Sequence, residues 1–132
     1  MPQENVDVAL AAYEHLNRGE VDALIDLCDR DFVMDMSERV FNPDVYEGSH
    51  EIARFCEGVR SAWDSYLWEV EETRAAGDAV VAMVHCRGQG HQGGPSAEWH
   101  VAWVWRFRDG RAVWTRFYRD RALALQAAGL EE

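Results

Sequence analysis

Apolar residues recur at every second position from Trp99 to Phe107: Trp99, Val101, Trp103, Trp105 and Phe107 alternate with Glu98, His100, Ala102, Val104 and Arg106 at the even positions. Side chains alternate faces along a strand, so this period predicts a strand with one face made of large rings. A second strand-like run follows Arg108–Asp109–Gly110, and Asp-Gly between two such runs predicts a hairpin across Ala97–Tyr118. Upstream the period lengthens to that of a helix. Glu4–Asn17 places Val6, Leu10, Tyr13 and Leu16 near one face and stops at Gly19; Glu20–Cys28 follows with Val21, Leu24, Leu27 and Cys28 as its stripe. The third and cleanest amphipathic helix opens at Ser49, a candidate N-cap, and carries Ile52, Phe55, Cys56, Val59 and Trp63.

Shorter alternations complete the pattern. Phe32–Met36 is predicted as a strand with Phe32, Met34 and Met36 on one face and Val33 and Asp35 on the other, and Ser37–Glu47 as a loop. Leu67–Arg74 sets Glu69 and Glu71 opposite Trp68 and Val70, then turns at Ala76–Gly77–Asp78 into the apolar strand Ala79–Arg87. Gly88–Pro95 is Gly-rich but lies between strands and lacks the Lys-Ser/Thr end of a phosphate loop, so it reads as a hairpin end. Asp120 is placed to cap a closing helix, Arg121–Ala128. Strands joined by short turns imply an antiparallel sheet with helices on one side: one α+β domain over residues 1–132, in which a curled sheet wraps a long helix and the third helix serves as the lid.

Charge and cysteine usage narrow the partners. The net charge of −11 and the lack of a basic run argue against nucleic acid and anionic membranes. No apolar run approaches the ~20 residues of a membrane span, and the acidic, amphipathic N-terminus does not read as a signal peptide. Cys28, Cys56 and Cys86 are too scattered for a disulfide framework or a CxxC metal site, which fits a cytoplasmic protein.

Three stretches, QENVDVALAAYEHLNRGEVDALIDLCDRDFVMDMS, VYEGSHEIARF and VWRFRDGRAVWTRFYRDRALALQAAGL, resemble the SnoaL-like branch of the nuclear transport factor 2-like superfamily. The resemblance covers nearly the whole chain. It implies the cone-shaped, cystatin-like fold, an interior cavity, and homodimers that pair through the outer sheet face. The fold hosts isomerases, cyclases, epoxide hydrolases, dehydratases and binding proteins, so it does not fix the chemistry. Position by position, the catalytic residues of characterised members are missing. The base of ketosteroid isomerases falls at Met36, their oxyanion Tyr at Ala12, and their protonated Asp at Trp103. The Arg-x-Asp pair of limonene-epoxide-hydrolase-like members falls at His85-x-Arg87 and their second Asp at Phe117; the Asp of SnoaL-type cyclases falls at Trp103.

Two titratable groups inside apolar strands are the candidates for acid–base chemistry. Asp35 is a base if a bulge turns it inward, and a surface carboxylate paired with an Arg if it faces outward. His85, by the same alignment, looks into the cone, where Arg87 on the same face could hold an oxyanion; it reads equally as a satisfied strand histidine. Tyr13, Trp63, Arg87, His100, Trp103, Trp105 and Phe117 are the candidate ligand contacts for a small apolar or aromatic molecule, against the alternative that the rings only fill the cone. His91, His100 and Cys86 lack metal-ligand spacing, and neither metal nor cofactor is expected. Trp114, Arg116 and Tyr118 would form an exposed row suited to a homodimer. Two functions are compatible with this reading: a cofactor-free isomerase, cyclase or hydrolase using Asp35 and His85, or a non-catalytic binding or assembly module. An interior cavity below about 100 Å³ would favour the second.

Overall fold

The computed structural model describes residues 2–130. Helix α1 (Pro2–Arg18) ends where the sequence stops it: Gly19 takes φ 70°, its N–H reaches the Leu16 carbonyl, and the Glu20 N–H reaches that of His15. That bond pair is a Schellman motif, which satisfies carbonyls the helix end would orphan. The buried stripe of α1 is Asn5, Ala9, Ala12, Tyr13 and Leu16, while Leu10 is 38% exposed. The expected stripe was therefore rotated. Small residues at Ala9 and Ala12 let the helix sit close to the sheet, which leucines there would prevent.

After α2 (Val21–Asp26) come β1 (Cys28–Asp35), β2 (Val45–Glu47), α3 (Ile52–Ala62), β3 (Ser65–Ala76), β4 (Ala79–Gln89), β5 (Ser96–Arg108), β6 (Arg111–Tyr118) and α4 (Arg121–Ala127). Ser49 begins a 3-10 turn ahead of α3 and makes no side-chain cap. Strand β2 lies within the span read as loop; three residues are too few to show a period.

The six strands form one sheet in the order β2-β1-β6-β5-β4-β3. Adjacent hairpins are antiparallel as expected, but β1 and β6 run parallel, Val33 opposite Trp114 and Asp35 opposite Arg116. The chain leaves β1, crosses to the far edge at β3 and meanders back, so its last strand meets its first in the same direction. Register shifts at Val70/Glu72 and Arg106/Phe107 bend the sheet into a trough. The β5–β6 turn has positive φ at both Asp109 (54°) and Gly110 (78°), the geometry that Asp-Gly favours between twisted strands. At the open edge, the Asn17 side chain donates to the Trp68 carbonyl and accepts from its N–H, both at 2.8 Å. An amide thereby ties α1 to β3 and blunts that edge.

The trough is filled from α1 and α3. Tyr13, Phe32, Phe55, Trp103 and Trp105 are buried together, and the Trp105 indole N–H donates to the Tyr13 hydroxyl at 2.9 Å. On the outer face α4, capped by Asp120 Oδ1 accepting from the Ala122 N–H, lays Ala124 and Leu125 over Val81, Met83, Ala102, Val104 and Tyr118. The row Trp114–Arg116–Tyr118 is thus not an open surface. Tyr118 is buried, with the Arg116 guanidinium 4.8 Å from its ring centroid, and Trp114 packs on the α4 cluster.

Candidate ligand site at the mouth of the cone

Beyond the packed bottom, the trough opens where no helix among the described residues covers it. Trp63 follows α3 in extended backbone, and its ring crosses β4 at Gly88, where an added Cβ would lie 2.8 Å from the indole. Tyr66, Cys86, Trp99, Val101 and Phe117 reach the same space from β3, β4, β5 and β6. Trp63 meets Trp99 edge-on at 5.7 Å, and Tyr66 stacks near Trp99 at 6.4 Å. The loop after β1 closes the opening: Phe41 sets its ring edge-on to Trp63 at 5.8 Å and to Trp99 at 6.0 Å, yet remains 49% exposed. The space left among these groups is about 30 Å³, enough for one or two waters. Open surface grooves elsewhere are larger, up to about 630 Å³, but their walls enclose nothing.

Among the described residues, the cavity wall holds no carboxylate and no imidazole. The polar side chains that line it are Arg39, Arg119, Tyr66 and Cys86, beside the indoles of Trp63 and Trp99. Burial pushes the Cys86 thiol up to about 11, and burial also pushes the Tyr66 hydroxyl up, out of reach of neutral pH. Burial acts on Arg39 in the opposite sense, lowering it, while Tyr66, Tyr46 and Cys86 pull it back up. The Arg39 guanidinium lies 5.1 Å from the Phe55 ring centroid.

The sequence-derived candidates divide between the two faces of the sheet. Trp63 and Phe117 line the cavity. Tyr13, Trp103 and Trp105 belong to the solid core below it, where the Trp103 indole N–H is buried without a hydrogen-bond partner among the described residues. His85, Arg87 and His100 are on the outer face, which corrects the expected inward aim of His85. Its neighbours Val84 and Cys86 point in, and its β5 partner is His100. Asp35 faces outward too, taking the Arg-paired alternative: Oδ1 accepts from the Ser37 N–H and hydroxyl at 3.0 and 2.6 Å, and Oδ2 lies 3.9 Å from Arg116 Nε.

Strand pairing also assembles a group that spacing along the chain conceals. His85 and His100 stack at 4.2 Å, with Glu69 and Glu98 at 3.6 and 3.4 Å from His85 and Glu71 at 3.6 Å from His100. Glu71, His85 and His100 offer donor atoms within 4.8 Å of one another and could hold a metal, although Arg121 already holds Glu71 at 2.6 Å. His91 instead lies beside the Ser61 carbonyl and Asp64, so it does not join His100 and Cys86. Arg39, Tyr66, Cys86, Val101 and Arg119 were not among the expected contacts. Trp99 and Val101 carried a legible signal, their place on the ring-bearing face of β5.

A SnoaL-like domain model matches residues 9–115. The chain belongs to the SnoaL-like domain family. A search of curated proteins finds no match. Among solved structures, the SnoaL-like chain is similar to an NTF2-like protein of unknown function from Burkholderia pseudomallei, with TM-score 0.77, 21% identity, and 93% and 95% of the two chains covered. It is similar to a putative SnoaL-like polyketide cyclase from Jannaschia sp. CCS1, with TM-score 0.76, 16% identity, and 89% and 85% covered. RV0760c from Mycobacterium tuberculosis, solved with estradiol-17β-hemisuccinate, matches with TM-score 0.73, 17% identity, and 87% and 92% covered. These likenesses show the fold. No helix among the described residues is long and apolar enough to cross a membrane.

Proposed function

We propose that this SnoaL-like protein binds a small, flat, largely apolar molecule at the mouth of its cone and holds it without transforming it. The observation that carries the reading is the chemistry of the wall: aromatic and aliphatic faces, with neither carboxylate nor imidazole among the described residues. General acid–base catalysis needs a group that exchanges protons near the working pH and within hydrogen-bond reach of the substrate. Asp35 and His85, the residues on which an isomerase, cyclase or hydrolase would depend, have the thickness of the sheet between them and the cavity. The cavity of about 30 Å³ accepts a ligand only if Phe41 swings out, and a flat ring is what its place between two tryptophan edges suits. That RV0760c was solved with an estradiol ester supports an aromatic ligand for this fold; the polyketide cyclase assignment of the Jannaschia protein is what keeps catalysis as the competing reading.

Titration of intrinsic tryptophan fluorescence with 2-naphthamide, a neutral flat probe, tests the reading. Saturable quenching that is lost in Trp63→Ala and Trp99→Ala is expected, with the probe recovered unchanged. Absence of saturable binding overturns it. So does a natural extract component whose conversion by the protein is abolished by Asp35→Asn or His85→Ala. Self-association through the outer face is a separate proposal, left to the patch around His85 and His100 that lies outside the α4 cluster; sedimentation showing only a 15.1 kDa species at micromolar concentration would sink it.

A further inference from the structure

Resting on the binding reading above, we infer that the ligand is an anion: an aromatic carboxylate, or a phenolate or enolate of the same shape, whose charged end is taken by Arg39 with Arg119 beside it. The basis is an imbalance of charge. The chain is strongly acidic, with a net charge of −11, and carboxylates are plentiful for any guanidinium that needs one. Arg54, Arg60, Arg87, Arg108, Arg116 and Arg121 each have a carboxylate oxygen within 3.4 Å. Arg39 and Arg119, the two that line the cavity, have none among the described residues, and neither guanidinium donates a hydrogen bond there.

Arg39 is the more telling of the two. It is half-buried, lies over the Phe55 ring, and faces hydroxyl and thiol groups in place of counter-ions. A guanidinium withdrawn from water without a partner is costly to keep, and its five N–H donors in a fixed plane match a carboxylate two at a time. The nearest carboxylate by sequence, Glu38, is committed elsewhere, accepting from Arg116 Nη2 at 3.2 Å and from the Arg119 backbone N–H at 3.4 Å. The rings of Trp63, Tyr66 and Trp99 line the same small space. A ring flanked by tryptophans with a carboxylate at its edge would satisfy both halves of the wall at once, and a neutral ring only one.

Matched probes separate this inference from the one beneath it. 2-Naphthoate and 2-naphthamide share shape and area and differ in charge. The wild-type protein is expected to bind naphthoate at least about tenfold more tightly than the amide at low salt, as charge-assisted bonds to a half-buried guanidinium require. Arg39→Gln should bring the ratio close to one, and Arg119→Gln should reduce it by less. Salt should weaken naphthoate alone. Equal affinities in the wild type, or a preference that survives Arg39→Gln, overturn the inference and leave the pocket reading standing. If neither probe binds, both fall. Should Arg39→Gln not fold, the wild-type ratio and its salt dependence still decide.

Discussion

Two regions of the concave face share one composition and differ in what covers them. At the bottom, Trp103 and Trp105 meet Tyr13 from α1 and Phe55 from α3, edge to face at 5.3 to 6.4 Å, and nothing is left over. At the mouth, Trp63, Tyr66 and Trp99 are disposed at similar spacings but face a loop, and a cavity remains. Ring content therefore does not decide between core and pocket. The small residues of α1 do: Ala9 and Ala12 bring a whole helix down onto one half of the trough, and α1 ends at Arg18 before it reaches the other. The mouth is the part of the hydrophobic face that no helix among the described residues covers.

The sharpest test uses one residue type on one strand. Trp105→Ala removes a fully buried ring and is expected to cost about 3–5 kcal/mol of unfolding free energy. Trp99→Ala, six residues earlier on the same face but half-buried against the cavity, should cost about 1 kcal/mol. Urea denaturation with a shared slope measures both. Equal losses would mean that the mouth is core as tightly knit as the bottom, and would remove the case for a site there.

A smaller contrast lies within the bottom itself. Trp105 donates its N–H to Tyr13 at 2.9 Å, whereas the Trp103 N–H has no partner among the described residues. Phenylalanine removes the donor from either position and loses comparable ring volume. Trp105→Phe is therefore expected to destabilise more than Trp103→Phe, by about 1 kcal/mol, the net worth of an ordinary hydrogen bond. In a double-mutant cycle Tyr13→Phe should couple to Trp105→Phe and not to Trp103→Phe.

What the sequence made legible follows the same division between near and far. The Asp109–Gly110 turn, the odd-numbered ring face of β5, the Ile52–Phe55–Val59 stripe of α3 and the Asp120 cap are all written within a dozen residues, and each stands where it was expected. The aim of His85 was not so written. Strand β4 is buried on both faces, Val80, Ala82 and Val84 under α1 and Val81 and Met83 under α4, so it carries no alternation from which a face could be read. The parallel β1–β6 pairing, the His85–His100 stack and the Arg39 site all depend on partners brought from far along the chain. Arg39 looked like one more charge in a polar loop; only the folded chain shows that it alone among the loop's charges turns toward the rings.

The loop that separates mouth from solvent is held by charge, which gives the smallest expected effect and a sign that can be worked out. Arg54 pairs with Asp44 at 2.8 Å and Glu51 at 3.0 Å, and its guanidinium lies 4.3 Å from the Tyr46 ring centroid. Hydrogen bonds from Arg54 hold both carboxyls below the usual carboxylate range. Groups whose folded-state values are depressed contribute stability that is complete above their unfolded values and fades as pH falls through the folded ones. Acidification should therefore loosen the end of the loop at Asp44 while the buried bottom, which has no such pairs, stays intact. Arg54 and Asp44 are exposed and Glu51 partly so, and the change is therefore expected in the dynamics of the loop before it shows in global stability. Stopped-flow binding of 2-naphthamide, whose own charge does not change, should speed up modestly as pH drops through that range. Arg54→Gln should show the faster association already at neutral pH and lose the acid response. An association rate flat in pH for the wild type, or unchanged by Arg54→Gln, would mean that Phe41 does not gate the site and that the mouth opens by some other movement.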